Sequence, residues 1–252
     1  MMNSYLYDGT ADGLLSAITW ILEEEPDPEK VTLSERKDTL FEEGFTISTD
    51  ATQAESLFFR LKQHAPEAAH TLYSFMLAEK EGMETSLLHY VSLAFRHGDK
   101  VKGYLTHPAV RDIVNVAKKA GRELHRMKGL LRFEKLQDGA YLAKMEPDYN
   151  ILHPLAYHFS RRLRAQHWFL YDVKRRTAAR WNNGSLQFGT IEQFTTPALS
   201  EDEKKVQALW QAFFKTIAIP DRKNPPPPEI QQAHEVLEIS CGEAGRVTAV
   251  AS

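Results

Sequence analysis

The stretch "LLRFEKLQDGAYLAKME", residues 130–146, decides the fold class because the spacing of its apolar residues changes from helical to alternating. Two alternating runs flank Asp138-Gly139, a dipeptide that favours a two-residue β-hairpin turn. Upstream of this stretch, apolar residues recur every three or four positions, as they do in amphipathic helices. We therefore predict an α+β protein in which antiparallel β-hairpins packed on helices follow a helical bundle.

The first 128 residues are predicted to form a mainly helical subdomain that begins with a small strand pair. "SYLYDGT" (4–10) predicts the first strand, "EGFTIST" (43–49) its partner, and "PDPEKVTLSERK" (26–37) a polar connection. Helical spacing then dominates as far as residue 128. Asp8 or Thr10 is placed to cap the first helix, whose N-terminus is also a possible phosphate site.

The second predicted subdomain, residues 129–224, combines hairpins with helices. "PDYNILHPLAYHFSRRLRAQ" (147–166) returns to helical spacing, with Asp148 or Asn150 as its N-cap. "HWFLYDVKRRTAARW" (167–181) predicts a strand, a turn around residues 174–176 and a returning strand, before another turn at Asn183-Gly184. An apolar helix within residues 201–219 closes the subdomain, and four prolines open a tail, 225–252, that we expect to be mobile.

Composition excludes several classes of protein. The single cysteine, Cys241, rules out an internal disulfide and any cluster that needs several thiolates. The histidines show no recognisable metal spacing, so we predict no metal and no cofactor. The chain has no run of 18 apolar residues and no export signal at its start, which predicts a cytoplasmic protein that does not enter membranes.

The charges are distributed unevenly, although the formal net charge is only -3. From Lys102 to Arg180 there are 17 Lys/Arg and 7 Asp/Glu, whereas the remainder of the chain is acidic. Such a basic section predicts a surface for phosphate or another acidic partner, and the alternative is that its charges spread over several helical faces. The predicted nucleic-acid-binding residues are Arg126, Lys128, Arg132, Arg161, Arg162, Arg164, Lys174, Arg175, Arg176 and Arg180.

Strand alternation refines this prediction for "YDVKRRTAARW", residues 171–181. Arg180 and Trp181 are consecutive in the predicted returning strand and therefore point to opposite sides. They cannot both hold one base, so the turn residues Lys174 to Arg176 are the expected phosphate contacts.

An enzyme acting on nucleic acid is the first alternative, with Asp8, Glu146, Asp148 and Asp172 as candidate catalytic carboxylates. In a strand, Glu146 and Asp148 would share a face, and each carboxylate would raise the pKa of the other. Asp148 is equally a helix cap, and Asp172 is equally a partner of Arg175 or Arg176. A protein-only adaptor, docking through its acidic or its basic half, is the second alternative.

Several segments taken in order resemble the bacterial family described as "probable DNA metabolism protein". They are "YLYDGTADGLLSAI", "MKGLLRFEKLQDGAYLAKMEPDYNIL", "HPLAYHFSRR", "WFLYDVKRRTAARW" and "LWQAFFKTIAIPDRKNP". Together they run from about Tyr5 to Asn224. The positions that match the family's recurrent motifs are Tyr7, Asp8, Gly9, Gly13, Arg132, Phe133, Glu146, Pro147, Asp148, Asp172, Arg175, Arg176, Trp210, Arg222, Lys223, Asn224 and Pro225.

The resemblance implies a domain of unknown function that acts in DNA modification or repair. Genes of this family lie beside one for a radical-SAM protein, and related domains are fused to uracil-DNA-glycosylase-like modules. No catalytic residues carry over from it. The lack of a cysteine triad agrees with a partner that holds the iron-sulfur chemistry. After "RKNP" this chain departs from the family's basic and aromatic ending, which puts in doubt any docking by that ending.

Overall fold

The structure, a computed structural model, describes residues 3–36, 44–192, 198–206, 238–241 and 247–250. It confirms the α+β class. The chain divides into two compact units, one formed by residues 1–123 with 148–150 and the other by residues 124–147 with 151–252. Most of the predicted closing helix, 207–219, lies outside the described residues, as do the motif positions Trp210, Arg222, Lys223, Asn224 and Pro225.

The first unit pairs a small sheet with helices. Its strands are β1 (Asn3–Tyr7), β2 (Val31–Glu35) and β3 (Phe45–Thr46), and its helices are α1 (Ala11–Glu24), α2 (Ala51–His64), α3 (Pro66–Met76), α4 (Glu84–His97) and the first part of α5 (Pro108–Leu130). The core between them is built from fully buried aliphatic side chains such as Ile18, Leu57, Leu72 and Leu88.

The N-terminal sheet differs from the predicted strand pair in two ways. It has three parallel strands in the order β2-β1-β3, and β2 lies inside residues 26–37, which the sequence predicted as a connection. Val31 and Leu33 of β2 are buried, whereas Ser34, the residue after Leu33, is exposed. This alternation is short and follows two prolines, so the turn signal masked the strand.

The second unit contains a five-stranded sheet with the order β4-β5-β6-β7-β8. The strands are β4 (Glu134–Lys135), β5 (Tyr141–Met145), β6 (Trp168–Asp172), β7 (Thr177–Asn182) and β8 (Ser185–Thr190), and helix α6 (Leu152–Arg162) lies between β5 and β6 in the chain. Within the predicted tail, β9 (Glu238–Cys241) and β10 (Val247–Val250) form an antiparallel pair that the sequence did not predict.

The predicted turns are present, but one strand pairing differs from expectation. Gly139 follows β4 with φ +86°, and Asn183 and Gly184 both have positive φ, as a type I′ turn between β7 and β8 requires. The β6–β7 and β7–β8 pairs are antiparallel, as predicted. In contrast, β5 and β6 run parallel, so α6 is a crossover connection and not a bridge between two hairpins.

Helix α6 covers one face of this sheet. Its Leu152, Leu155, Ala156 and Phe159 are buried, and Phe133 packs edge-on against Phe159 and Trp168, with ring centroids 4.9 Å and 5.9 Å apart. A smaller cluster around Leu142, Tyr171 and Ile191 lies on the opposite face. Strand alternation therefore sends Trp168 to the α6 side and Tyr171 to the other.

The segment 148–150 is held in the first unit by a buried carboxylate. Glu123 on α5 is 6% exposed and accepts hydrogen bonds from the backbone N–H groups of Asp148 and Tyr149, at 3.1 Å and 2.9 Å. The backbone N–H of Asn150 donates to the carbonyl of Leu77 at 2.8 Å. The hydrogen bonds from the Asp148 and Tyr149 amides therefore offset the free-energy cost of burying the Glu123 carboxylate.

We expect Glu123→Ala to lower the free energy of unfolding by about 2 kcal/mol, because two charge-assisted hydrogen bonds are lost. Glu123→Gln should cost less, since its amide oxygen still accepts one or both bonds. Urea unfolding of each variant measures this, with Glu55→Ala on the exposed side of α2 as the control. A loss from Glu123→Ala no larger than the loss from Glu55→Ala would contradict the anchoring role.

Candidate nucleic-acid interface

The Asp8 carboxylate forms part of the cap at the start of α1. Its Oδ1 accepts hydrogen bonds from the backbone N–H and the hydroxyl of Thr10 at 2.9 Å and 2.7 Å, and its Oδ2 accepts one from the Thr49 hydroxyl at 2.6 Å. The Thr10 and Thr49 hydrogen bonds hold the pKa of Asp8 below its ordinary value. Thr10, as predicted, is the N-cap and accepts a hydrogen bond from the Gly13 N–H.

This arrangement also bears on the possible phosphate site at the same helix end. A Cβ built on Gly13 would lie 2.0 Å from Asp8 Oδ1, so the carboxylate rests directly on the first turn of α1. Asp8 thus supplies the negative charge that a helix N-terminus favours. A bound phosphate would have to displace that carboxylate, and capping accounts for the residue.

The other three candidate carboxylates belong to different parts of the fold. Glu146 follows β5 and is exposed, while Asp148 is also exposed and belongs to the first unit, so the two do not share a strand face. The proposed cap role of Asp148 or Asn150 is wrong, because Ile151 is the N-cap of α6 and no side chain caps that end. Asp172 is buried at the end of β6.

Asp172 and Arg175 form an internal ion pair in the β6–β7 turn. Asp172 is 0% exposed, and its Oδ2 lies 3.3 Å from Arg175 Nη1. The Arg175 backbone N–H donates to Oδ1 at 3.1 Å, and Nη1 also donates to the Pro147 carbonyl at 3.2 Å. Arg175 therefore ties the end of β5 to the end of β6, as one of the predicted pairings for Asp172 implied. Its charge is already compensated inside the protein.

Arg132 is likewise engaged by a carboxylate. Its Nη2 donates to Glu203 Oε1 at 2.6 Å, and the Glu203 side chain is 10% exposed. Glu203 also accepts a longer hydrogen bond from the Lys135 backbone N–H at 3.4 Å. Arg132 and Arg175, both predicted as nucleic-acid contacts, therefore have structural partners that account for their positions.

Arg180 and Trp181 point to opposite faces of β7, as the alternation predicted. Arg180 pairs with Phe169 across the sheet, its guanidinium lies 5.8 Å from that ring centroid, and its Nε is 3.4 Å from His167 Nε2. Trp181 stacks on Trp168 at 6.4 Å, and its indole N–H donates to the Arg164 carbonyl at 3.1 Å. The two side chains do not form a single grip.

The predicted cations separate into groups at the two ends of the β6–β7 hairpin. Lys174 and Arg176 are exposed in the turn at one end, whereas Arg164 contacts Trp181 near the other. Trp181 is five positions after Arg176, or about 16 Å further along the strand. The ten predicted contacts therefore do not converge on one point of this hairpin.

Three of the predicted cations lie near enough to His158 to affect its pKa. Lys128 lies in the last turn of α5, and Arg161 and Arg162 lie in the last turn of α6. Burial lowers the pKa of His158, and the nearby charges of Lys128, Arg162 and Arg161 lower it further. We call Lys128, Arg161 and Arg162 the basic cluster. Its members lie at the ends of two helices, and Arg126 is exposed two residues before Lys128 on α5.

The sequence analysis did not predict an aromatic surface that lies beside the basic cluster. The His153 ring stacks on Phe188 with centroids 3.9 Å apart and planes 13° apart, and the Tyr157 ring is 6.1 Å from Phe188. We call His153, Tyr157 and Phe188 the aromatic strip. The four-residue spacing of His153, Tyr157 and Arg161 on α6 was visible in the sequence, whereas the position of Phe188 required the β7–β8 register.

Among the described residues, no three His, Cys, Asp or Glu side chains are arranged to hold a metal ion. In the same part of the chain, no helix has both the length and the apolar character needed to cross a membrane.

Arg175→Met is expected to lower the free energy of unfolding by about 3 kcal/mol, because it leaves the Asp172 carboxylate buried without its cation. Lys174→Met, an exposed neighbour in the same turn, should change it little. Chemical denaturation compares the two variants. Equal stabilities would show that the Asp172–Arg175 pair contributes nothing to the turn.

The histidines of the second unit predict a loss of stability in acid. Burial lowers the pKa of His153, His158 and His167 in the folded protein below the ordinary value of 6.5. The unfolded chain therefore binds more protons than the folded one as the pH falls below 6.5, and the folded state loses stability. Above pH 6.5 this loss is absent, and the folded state keeps its full stability.

Urea unfolding at several pH values between neutrality and about pH 5 measures this effect. His158→Phe, which cannot take up a proton, should show a shallower pH dependence than the unmodified protein. A control, His97→Phe, replaces an exposed histidine of the first unit. Identical pH profiles for His158→Phe and the unmodified protein would contradict the assignment.

Comparison with known proteins gives a family but no activity. No curated protein matches the chain. A family described as a domain of unknown function, DUF4130, matches residues 81–234, which is more than half of the 252 residues and includes α4, α5, α6 and the five-stranded sheet. The chain therefore belongs to the DUF4130 family of domains of unknown function.

Proposed function

We propose that this protein is a DNA-associated accessory factor of DNA modification or repair that binds phosphates through the second unit. Its partner would be the radical-SAM protein that the resemblance to the "probable DNA metabolism protein" family implies. In this proposal the chain holds nucleic acid, and the partner performs the chemistry. The cytoplasm is the expected compartment.

The observation that carries the proposal is the basic cluster at the ends of α5 and α6. Arg161 and Arg162 are exposed, and Lys128, which lies on a different helix, acts with them on the pKa of His158. Like charges repel, so a protein gains nothing from bringing three cations to one place unless an anion or a helix end compensates them. Phosphate backbones are polyanions that such a cluster would attract without reading sequence.

Exposed cations outside the basic cluster add to the positive charge on the surface of the second unit. Arg164 follows α6, Lys174 and Arg176 lie in the β6–β7 turn, and Arg126 precedes Lys128 on α5. All of them belong to the second unit. A backbone several nucleotides long can contact separate groups of cations, so the groups need not meet at one point.

The carboxylates give the enzyme alternative less support than the cations give to binding. Asp8 is engaged by Thr10 and Thr49, and Asp172 by Arg175. These contacts account for both side chains without a substrate. The adaptor alternative shares the basic surface with the proposal, and a nucleic-acid binding measurement separates the two.

We expect a triple variant, Lys128→Gln, Arg161→Gln and Arg162→Gln, to bind DNA more weakly and with a reduced dependence on salt. Each lost phosphate contact should reduce the slope of log K against log salt by about 0.9 for duplex DNA and about 0.7 for single strands. Fluorescence anisotropy of labelled DNA over a range of salt concentrations measures both quantities.

The matched control carries the same change in charge on the first unit, through Lys62→Gln, Lys80→Gln and Lys100→Gln, all of which are exposed. It should bind like the unmodified protein. Failure of the unmodified protein to bind either form of DNA at low salt would refute the proposal. Equal losses for the two triple variants would show a general charge effect and remove the basic cluster from it.

A further inference from the structure

The aromatic strip is a second feature of the surface that carries the basic cluster. Tyr157 is 56% exposed, and its ring lies beside Phe188, which itself stacks on His153. The buried side of α6 is formed by other residues, Leu152, Leu155, Ala156 and Phe159. The strip therefore lies at the edge of the interface between α6 and the sheet, where Phe188 of β8 meets the helix, and the Tyr157 ring is left more than half exposed there.

Single exposed apolar residues are ordinary and need no explanation. Here three rings from a helix and a strand adjoin one another, and Tyr157 is the ring among them that is largely open to a stacking partner. The His153 and Phe188 rings lie face to face, with planes 13° apart and centroids 3.9 Å apart, so each ring covers one face of the other. Burial lowers the pKa of His153, so this ring is uncharged at neutral pH and behaves as an aromatic platform.

Arginine residues follow the aromatic strip in the direction of α6. Arg161 lies one turn after Tyr157, about 6 Å further along the helix axis, and its Nε donates to the Tyr157 carbonyl at 3.3 Å. Arg164 follows, and its carbonyl accepts the hydrogen bond from Trp181. Along α6 and the residues that follow it, the rings of His153 and Tyr157 therefore come first, and the guanidinium groups of Arg161 and Arg164 come next.

This order of rings and cations matches the chemistry of an unpaired nucleic-acid strand. Proteins that bind single strands combine aromatic rings, on which bases stack, with cations that follow the backbone phosphates. In a duplex the base faces are already stacked on one another and are closed to such a surface. A protein partner would satisfy the rings without needing the adjacent cations.

We propose that the aromatic strip stacks unpaired bases of single-stranded DNA whose phosphates lie against Arg161 and Arg164. This inference rests on the proposed function, since it names the form of DNA that the basic cluster holds. Tyr157 supplies the accessible ring face, while Phe188 and His153 support it from the side. The stacking is independent of base identity, because every base has a π-face.

The test compares the unmodified protein with Tyr157→Ala and measures the affinity of each for two DNA oligomers by fluorescence anisotropy. The ligands are a single-stranded dT oligomer of about 16 nucleotides and an abasic oligomer of the same length and charge. Tyr157→Ala should weaken binding to the dT oligomer by about tenfold, the size of one lost stacking contact. It should leave binding to the abasic oligomer unchanged, because only phosphate contacts remain there.

Three further variants complete the test, two of them as controls that should bind normally. Tyr157→Phe keeps the ring and should bind the dT oligomer as tightly as the unmodified protein does. Phe188→Leu removes a supporting ring and should weaken binding to dT more than to the abasic oligomer. Tyr104→Ala removes an exposed tyrosine of the first unit, which is 43% exposed, and should have no effect.

The outcomes separate this inference from the proposed function. If the unmodified protein binds both oligomers in a salt-dependent way and Tyr157→Ala weakens neither or both equally, stacking is refuted and phosphate binding stands. If neither oligomer binds at low salt, both proposals fail. Tighter binding to a duplex, or to an RNA oligomer of the same length, would overturn the assignment to single-stranded DNA.

Discussion

The parallel pairing of β5 and β6 determines how the second unit presents its surface. Two parallel neighbours in a sheet need a crossover connection, and α6 is that connection. The crossover lays α6 on the sheet face that carries Trp168, so its apolar side is buried and its opposite side faces outward. His153, Tyr157 and the arginines at its end are presented on the surface for that reason.

The Asp172–Arg175 pair strengthens this arrangement at the ends of the two parallel strands. Val173 donates its backbone N–H to the carbonyl of Met145 at 2.9 Å, and Arg175 reaches the carbonyl of Pro147. These bonds fasten the chain after β6 to the chain after β5. A guanidinium with several donors in fixed geometry can bond a carboxylate and a carbonyl at once, which a lysine ammonium does with less directional control.

The features that could be predicted from the sequence are local ones. The turns at Gly139 and at Asn183-Gly184 could be predicted because glycine and asparagine tolerate the positive φ that these residues adopt, and strand alternation placed Arg180 and Trp181 on opposite faces. Features that join distant residues could not be read in this way. The parallel β1–β2 and β5–β6 pairings, the Arg132–Glu203 contact and the position of Phe188 beside Tyr157 all depend on long-range packing.

The basic cluster has a structural role that is compatible with binding. Lys128 ends α5, and Arg161 and Arg162 end α6, so each cation also offsets the partial negative charge of a helix C-terminus. That interaction contributes about 0.3–1 kcal/mol for an exposed charge, which is enough to stabilise a helix end but does not account for three cations that act on one histidine. Their joint placement, with aromatic rings along the same helix, is what a strand of bases and phosphates would use.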